Sequence, residues 1–252
     1  MRLWILDLDG VVYRGDKLIE GAKEFVEEVR DRGEEVVFLT NNSLFTPKFY
    51  SEKLTRLGIP VEARHIYTSA ELTGAYLQES GIKKVFAIGE EGLKKALLQR
   101  GIRLLETPDV EAVVVGLDRN FHYRKLVIAY KAIEKGAHFL ATNTDPTLPC
   151  EDGLLPGSGS IVASVEKATG KRPVVIGKPE PVGIQLILKE RGEGKEAFIV
   201  GDRIDTDVLA GKRAGIKTVL VLTGVTTRAE IDKIPPSHRP DVIVDTLEEL
   251  LK

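Results

Sequence analysis

Along the chain, short apolar runs alternate with stretches in which apolar residues recur every three or four positions. Residues 3–8 form such a run, interrupted by Asp7, and predict a buried strand. Residues 21–32 follow with Ala22, Phe25, Val26 and Val29 on one helical face, and Gly33 closes that helix. A second strand is predicted at 36–39, then a helix at 47–57, opened by Pro47 and stopped by Gly58. Further strands are predicted at 85–88, 112–115, 139–142, 174–176, 198–200, 218–222 and 242–244. A helix is predicted at 124–135 and a short closing helix at 247–252. Strands separated by helices of this length imply βαβ units, hence an α/β fold with a doubly wound parallel sheet. Residues 143–159 break the alternation. They are polar, rich in Pro and Gly and without period, which predicts a long functional loop.

Composition narrows the partners. The 252 residues carry 36 Lys and Arg against 38 Asp and Glu, a formal net charge of −2. That balance sets up no long-range field to draw in nucleic acid or an anionic membrane, so neither is an expected partner. A content of 42% hydrophobic and 29% charged residues is that of a folded chain and excludes disorder. The single cysteine, Cys150, excludes an internal disulfide and a Cys-based zinc cluster, and it points to a reducing compartment. No apolar stretch reaches membrane-spanning length, and the run after Met1 is too short for a signal-peptide core. The expected compartment is the cytosol.

Four polar clusters sit at predicted strand ends, where open α/β sheets bind ligands. Asp7 and Asp9 follow the first strand. On extended backbone their side chains point to one side, and two unpaired carboxylates there call for a hard cation such as Mg²⁺. A plain pair of turn-forming acids is the competing reading. Thr40, Asn41 and Asn42 follow the second strand and offer a neutral cradle for an anion, or a plain loop leading to the Pro47 helix. Lys178 follows the strand at 174–176 as a point-charge partner for phosphate. Asp202, Asp205 and Asp207 follow the strand at 198–200. Asp205 fits the start of a helix, and Asp202 is the better candidate ligand.

In this order, DLDGV, LTNNS, GKPEP and GDRIDTD resemble the four motifs of the haloacid dehalogenase-like (HAD) phosphatase superfamily. The strings GLD, ATNTDPTLP and DGLLPGSGS resemble the class named for NagD and the p-nitrophenyl phosphatases, and the likeness covers essentially the whole chain. The resemblance implies a Rossmann-like HAD core at 1–82 and 173–252, with a smaller α/β cap domain inserted at 83–172. It implies that Asp7 attacks phosphorus to give an aspartyl-phosphate, and that Asp9 protonates the leaving group and then activates water. Asp7, the Asp9 backbone carbonyl and Asp202 would hold Mg²⁺, with Asp207 behind them or reached through water. Thr40, Asn41, Asn42 and Lys178 would hold the phosphoryl group. Asn143 and Asp145 in the cap are candidates for substrate choice; a turn held by Asx hydrogen bonds is the competing reading. Gly157-Ser158-Gly159-Ser160 is read as a helix start or cap hinge rather than a phosphate loop.

The expected function is Mg²⁺-dependent hydrolysis of small phosphate monoesters, the partner being a small phosphorylated metabolite and the assembly a homodimer after the class. Asp9 fits this chemistry, since a phosphate ester's leaving alkoxide needs an acid and a departing halide does not. Two alternatives share the acids: a phosphotransferase or mutase using the same intermediate, and a non-catalytic phospho-accepting domain. The latter gives no task to Asp9 or to the insert.

Overall fold

The run at residues 3–8 forms the strand Arg2–Asp7, which pairs in parallel with Glu35–Thr40 on one side and Glu196–Gly201 on the other. The full sheet has six strands in the order Val242–Val244, Lys217–Val221, Glu196–Gly201, Arg2–Asp7, Glu35–Thr40, Ile66–Thr68. Read by chain order from the other edge this is 3-2-1-4-5-6, the doubly wound order of Rossmann-like folds. The structure, a computed structural model, describes all residues except Glu151, Asp152, Asp232 and Lys252. The string DGLLPGSGS thus begins, at Asp152, outside the described residues.

The helix Ala22–Asp31 buries Ala22, Phe25, Val26 and Val29, the stripe that periodicity predicts. Trp4 lies in the core of this sheet. Its ring stacks on Phe198 at 4.5 Å and meets Phe25 edge-on at 5.2 Å, while its indole nitrogen donates to Glu34 at 2.6 Å.

The chain divides into two compact units. The first comprises Met1–Thr40, Pro47–Tyr67 and Lys178–Lys252; the second comprises Asn41–Thr46 and Thr68–Gly177. The second unit contains a five-stranded parallel sheet in the order Val174–Val175, His138–Ala141, Ala112–Val115, Lys84–Ile88, Arg103–Leu104. In chain order this is 2-1-3-4-5, the other common doubly wound arrangement. Its reversal point lies between Lys84–Ile88 and Ala112–Val115. The segment Asn41–Thr46 occupies it: Gly92 N–H donates to the Leu44 carbonyl at 3.0 Å, and a Cβ on Gly116 would lie 3.0 Å from Ser43 Oγ.

Two expectations change here. The run at 174–176 is no core strand. It pairs with Leu140 and Ala141 as an edge of the second sheet. Residues 143–159 are not an aperiodic loop, because Thr147–Cys150 and Gly153–Pro156 pair as an antiparallel hairpin before the helix Ser158–Thr169. Its prolines suit the unpaired edges of an isolated hairpin, which hides the strand signal. Within the second unit the helix Ser69–Glu79 packs on Glu91–Gln99, and the edge strand completes the sheet.

Asp241 ties the last two strands of the first sheet together. Its carboxylate accepts from Thr218 N at 2.8 Å, Thr218 Oγ1 at 2.7 Å and Lys212 Nζ at 2.8 Å. Burial pushes its pKa up, but Lys212 and Thr218 outweigh this and hold it at about 2. A depressed folded pKa stabilises the fold above the unfolded value, and that gain is lost as pH falls through the folded value. Asp241→Asn therefore lowers the urea midpoint at pH 7, and the gap from wild type narrows between about pH 4 and pH 2.

Candidate active site

Asp7 closes the central strand, and Asp202 follows the neighbouring strand Glu196–Gly201. Sheet order reverses between these two strands, so their carboxyl ends flank the crevice where such sheets take ligands. Asp207 lies on the turn of π-helix Ile204–Val208. One carboxylate oxygen from each of Asp7, Asp202 and Asp207 lies within 4.8 Å of the others. Lys178 Nζ sits among them, donating to Asp7 Oδ1 at 2.6 Å and to Asp207 Oδ1 at 2.5 Å. Asp207 Oδ2 accepts from Arg203 N at 3.1 Å. After Asp9 the backbone turns sharply at Gly10 (φ 84°), whose N–H donates to the Tyr13 carbonyl at 2.8 Å. A short flap, Tyr13–Arg14 paired with Lys17–Leu18, follows.

The site carries more negative than positive charge. Three carboxylates face one ammonium, all but Asp7 nearly inaccessible to solvent. Ionised, the group carries two negative charges in excess, the charge that one divalent cation balances. Burial, with Asp207 and Asp202 adding to it against Lys178, pushes Asp7 up to about 8. Burial and the neighbouring Asp207 push Asp202 up to about 6. Burial alone would depress Lys178, but Asp207 and Asp7 outweigh it and keep the ammonium charged. Asp7 and Asp202, held apart from water yet destabilised as anions, fit a hard cation with oxygen ligands. Asp9 also titrates above the usual carboxylate range through desolvation, with Lys53 and Arg14 pulling the other way.

The comparisons agree with this geometry. The family model of haloacid dehalogenase-like hydrolases matches residues 4–103, and a HAD-hydrolase-like model matches residues 175–250. The 5'-nucleotidase YutF of Bacillus subtilis is 39% identical over 246 residues, which cover 96% of each chain. The chain belongs to the haloacid dehalogenase-like hydrolases. Among solved structures this hydrolase resembles the 4-nitrophenylphosphatase of Thermotoga maritima, with a TM-score of 0.92 and 35% identity over 99% of this chain and 96% of that one. It also resembles the glycerol phosphate phosphatase Rv1692 of Mycobacterium tuberculosis in complex with magnesium. There the TM-score is 0.91 and the identity 34%, over 98% of this chain and 75% of that one.

The remaining predicted residues of the hydrolase fall into two groups. Asp9, Thr40 and Lys178 belong to the first unit with the acid cluster, although Lys178 does not follow a core strand. Asn41 and Asn42 belong to the second unit with Asn143 and Asp145. The Asn41 amide donates to both Asp145 oxygens, at 3.2 and 3.1 Å. Asn42 Oδ1 accepts from Leu44 N at 2.8 Å. Asn143 is buried with its amide engaged at both ends: it donates to the Asn41 carbonyl at 2.7 Å and accepts from Asp145 N and Ser158 Oγ. Gly157 and Gly159 let the helix start lie against this turn, since a Cβ at either would fall 2.3 Å from the Asp145 or Thr144 carbonyl oxygen. Asp205 is tied to Arg203.

Lys53 and Asp16, neighbours of the flap, carry no sequence signal. Lys53 lies 3.9 Å over the Tyr13 ring and 3.5 Å from Asp16. Only their meeting across the flap gives them meaning, and no local pattern announces it. Replacing Lys178 by Met strands Asp7 and Asp207 without their ammonium. In metal-free buffer Lys178→Met costs about 3–5 kcal/mol of unfolding free energy, read by urea titration, and millimolar Mg²⁺ recovers part of it.

Proposed function

We propose that this hydrolase is a Mg²⁺-dependent phosphatase that hydrolyses small phosphate monoesters through an aspartyl-phosphate on Asp7. The observation that carries this reading is the convergence of Asp7, Asp202 and Asp207 around one ammonium, with an excess charge matched to a divalent ion. The names of the similar proteins support it: a nucleotidase, a nitrophenylphosphatase and a magnesium-bound glycerol phosphate phosphatase.

Asp7, the Asp9 backbone carbonyl and Asp202 would hold Mg²⁺, which supplies charge neutralisation for an anionic nucleophile meeting an anionic ester. Asp7 then attacks phosphorus as the ester P–O bond breaks. Asp9 would supply the proton that the leaving alkoxide takes. Deprotonated by that step, Asp9 accepts a proton from the water that cleaves the aspartyl-phosphate and restores Asp7. Lys178, held protonated by its two carboxylates, orients Asp7 and meets the phosphoryl oxygens. Thr40, Asn41 and Asn42 would supply further donors. With one oxygen on Lys178 and the other on Arg203 N, Asp207 acts by fixing the lysine rather than by binding the ion directly.

We assign the choice of ester to the cap expected at 83–172, within the second unit. Asp145 is the half-buried candidate, and Asn143 acts by holding Asn41 in place. The single cysteine supports a cytosolic setting, and the class resemblance a homodimer.

A phosphate-ester panel measured with Mg²⁺ and with EDTA tests the proposal directly: turnover should depend on the metal. Asp7→Asn removes the attacking anion and should leave no turnover of p-nitrophenyl phosphate while the protein still folds. More than a few per cent residual activity rejects Asp7 as nucleophile. Asp9→Asn should lose about 10²–10⁴-fold on an alkyl phosphate and much less on p-nitrophenyl phosphate, whose leaving group needs little protonation. Equal losses on both esters remove Asp9 from the acid role.

A further inference from the structure

The loop after the strand Lys217–Val221 belongs to none of the four motifs, yet it grips the acid cluster. Val225 N–H donates to Asp202 Oδ2 at 2.6 Å, and Thr226 N–H donates to the Asp202 carbonyl at 3.1 Å. Thr223 Oγ1 donates to the Gly10 carbonyl at 2.6 Å, and Arg14 donates back to the Thr223 carbonyl at 2.5 Å. The loop thus holds both the metal-facing acid and the turn that follows Asp9.

Gly224 lies at the centre of this contact. A Cβ there would fall 1.9 Å from Asp202 Oδ2 and 2.4 Å from Asp202 Cγ. A Cβ on Gly10 would lie 2.4 Å from the same oxygen and 3.2 Å from Gly224 Cα. The Asp202 carboxylate is therefore clamped between two bare backbones. Gly224 does not have a positive φ, so space and not conformational freedom requires glycine there. Val225 is 64% exposed, and its backbone N–H is the part that acts on Asp202.

We propose that Thr223–Thr226 is a positioning element for the metal site, with Gly224 setting the place and angle of the Asp202 carboxylate. The proposal rests on the metal-binding role of Asp202 given above. Mg²⁺ demands near-octahedral ligands at short distance, whereas Ca²⁺ accepts longer and less regular bonds. A displaced Asp202 therefore penalises Mg²⁺ more than Ca²⁺.

The test measures direct ion binding by calorimetry on the full-length protein, beside melting temperature. Gly224→Ala is compared with Gly211→Ala, a glycine of the same unit. A Cβ on Gly211 would strike Ile199 and Thr218 rather than an acid. Both variants should melt below wild type, since both overpack. Gly224→Ala should bind Mg²⁺ about 10–100-fold more weakly, with a smaller loss for Ca²⁺, while Gly211→Ala keeps wild-type affinities. Val225→Pro, which removes the N–H that Asp202 accepts, should follow Gly224→Ala. Equal Mg²⁺ affinity in Gly224→Ala and Gly211→Ala overturns the positioning role. No Mg²⁺ binding by wild type overturns the metal reading beneath it.

Discussion

Everything in the first unit is arranged around an unfavourable juxtaposition: three carboxylates brought together away from water with a single ammonium among them. Such a group is costly in isolation and becomes favourable only when a cation arrives. The sheet supplies the means, because Asp7 and the residue after Gly201 leave adjacent parallel strands at the point where the order turns. Lys178 offsets part of that cost by tying Asp7 to Asp207. The folded chain therefore holds its acids already assembled, and an ion bound there would meet preorganised groups rather than gather them.

Close approach is what makes that assembly possible, and it rests on glycines. Gly10 and Gly224 flank Asp202, and a Cβ on Gly201 would fall 2.1 Å from Asp207 Cβ. Bare backbone on three sides lets carboxylates pack at distances that any side chain would forbid. The same device recurs in the second unit, where Gly157 and Gly159 admit the turn that carries Asn143 and Asp145.

The parts of this structure that local pattern encodes were legible in the sequence. The stripe Ala22, Phe25, Val26, Val29 announces its helix, and apolar runs announce the central strands. That Asp7, Asp202 and Asp207 would come together was legible from their places after predicted strands, since strand ends are where such sheets bind. What stayed hidden depends on tertiary partners. Val174–Val175 reads as another core strand, yet hydrogen bonding to Leu140 and Ala141 assigns it to the second sheet. The hairpin Thr147–Cys150 with Gly153–Pro156 is a two-stranded sheet whose prolines obscure its strand signal. Asn143 reads as a substrate contact or an Asx turn; the structure has the turn, through Asp145 N, and only the fold reveals Asn41 and Ser158 at its two ends. The loop Thr223–Thr226 has no motif, since its contribution is made through backbone N–H groups that sequence does not distinguish.

The second sheet has the topology of a ligand-binding fold, but its crevice is stoppered by six residues from elsewhere in the chain, Asn41–Thr46. Gly92 and Gly116 leave the room for that stopper. A contiguous excision of residues 68–177 would leave it behind, uncovering the surface around Gly92 and Gly116 and opening a gap in the interior. The two units are thus separable by eye and not by scissors: the chain lends the smaller one a piece cut from the middle of the larger.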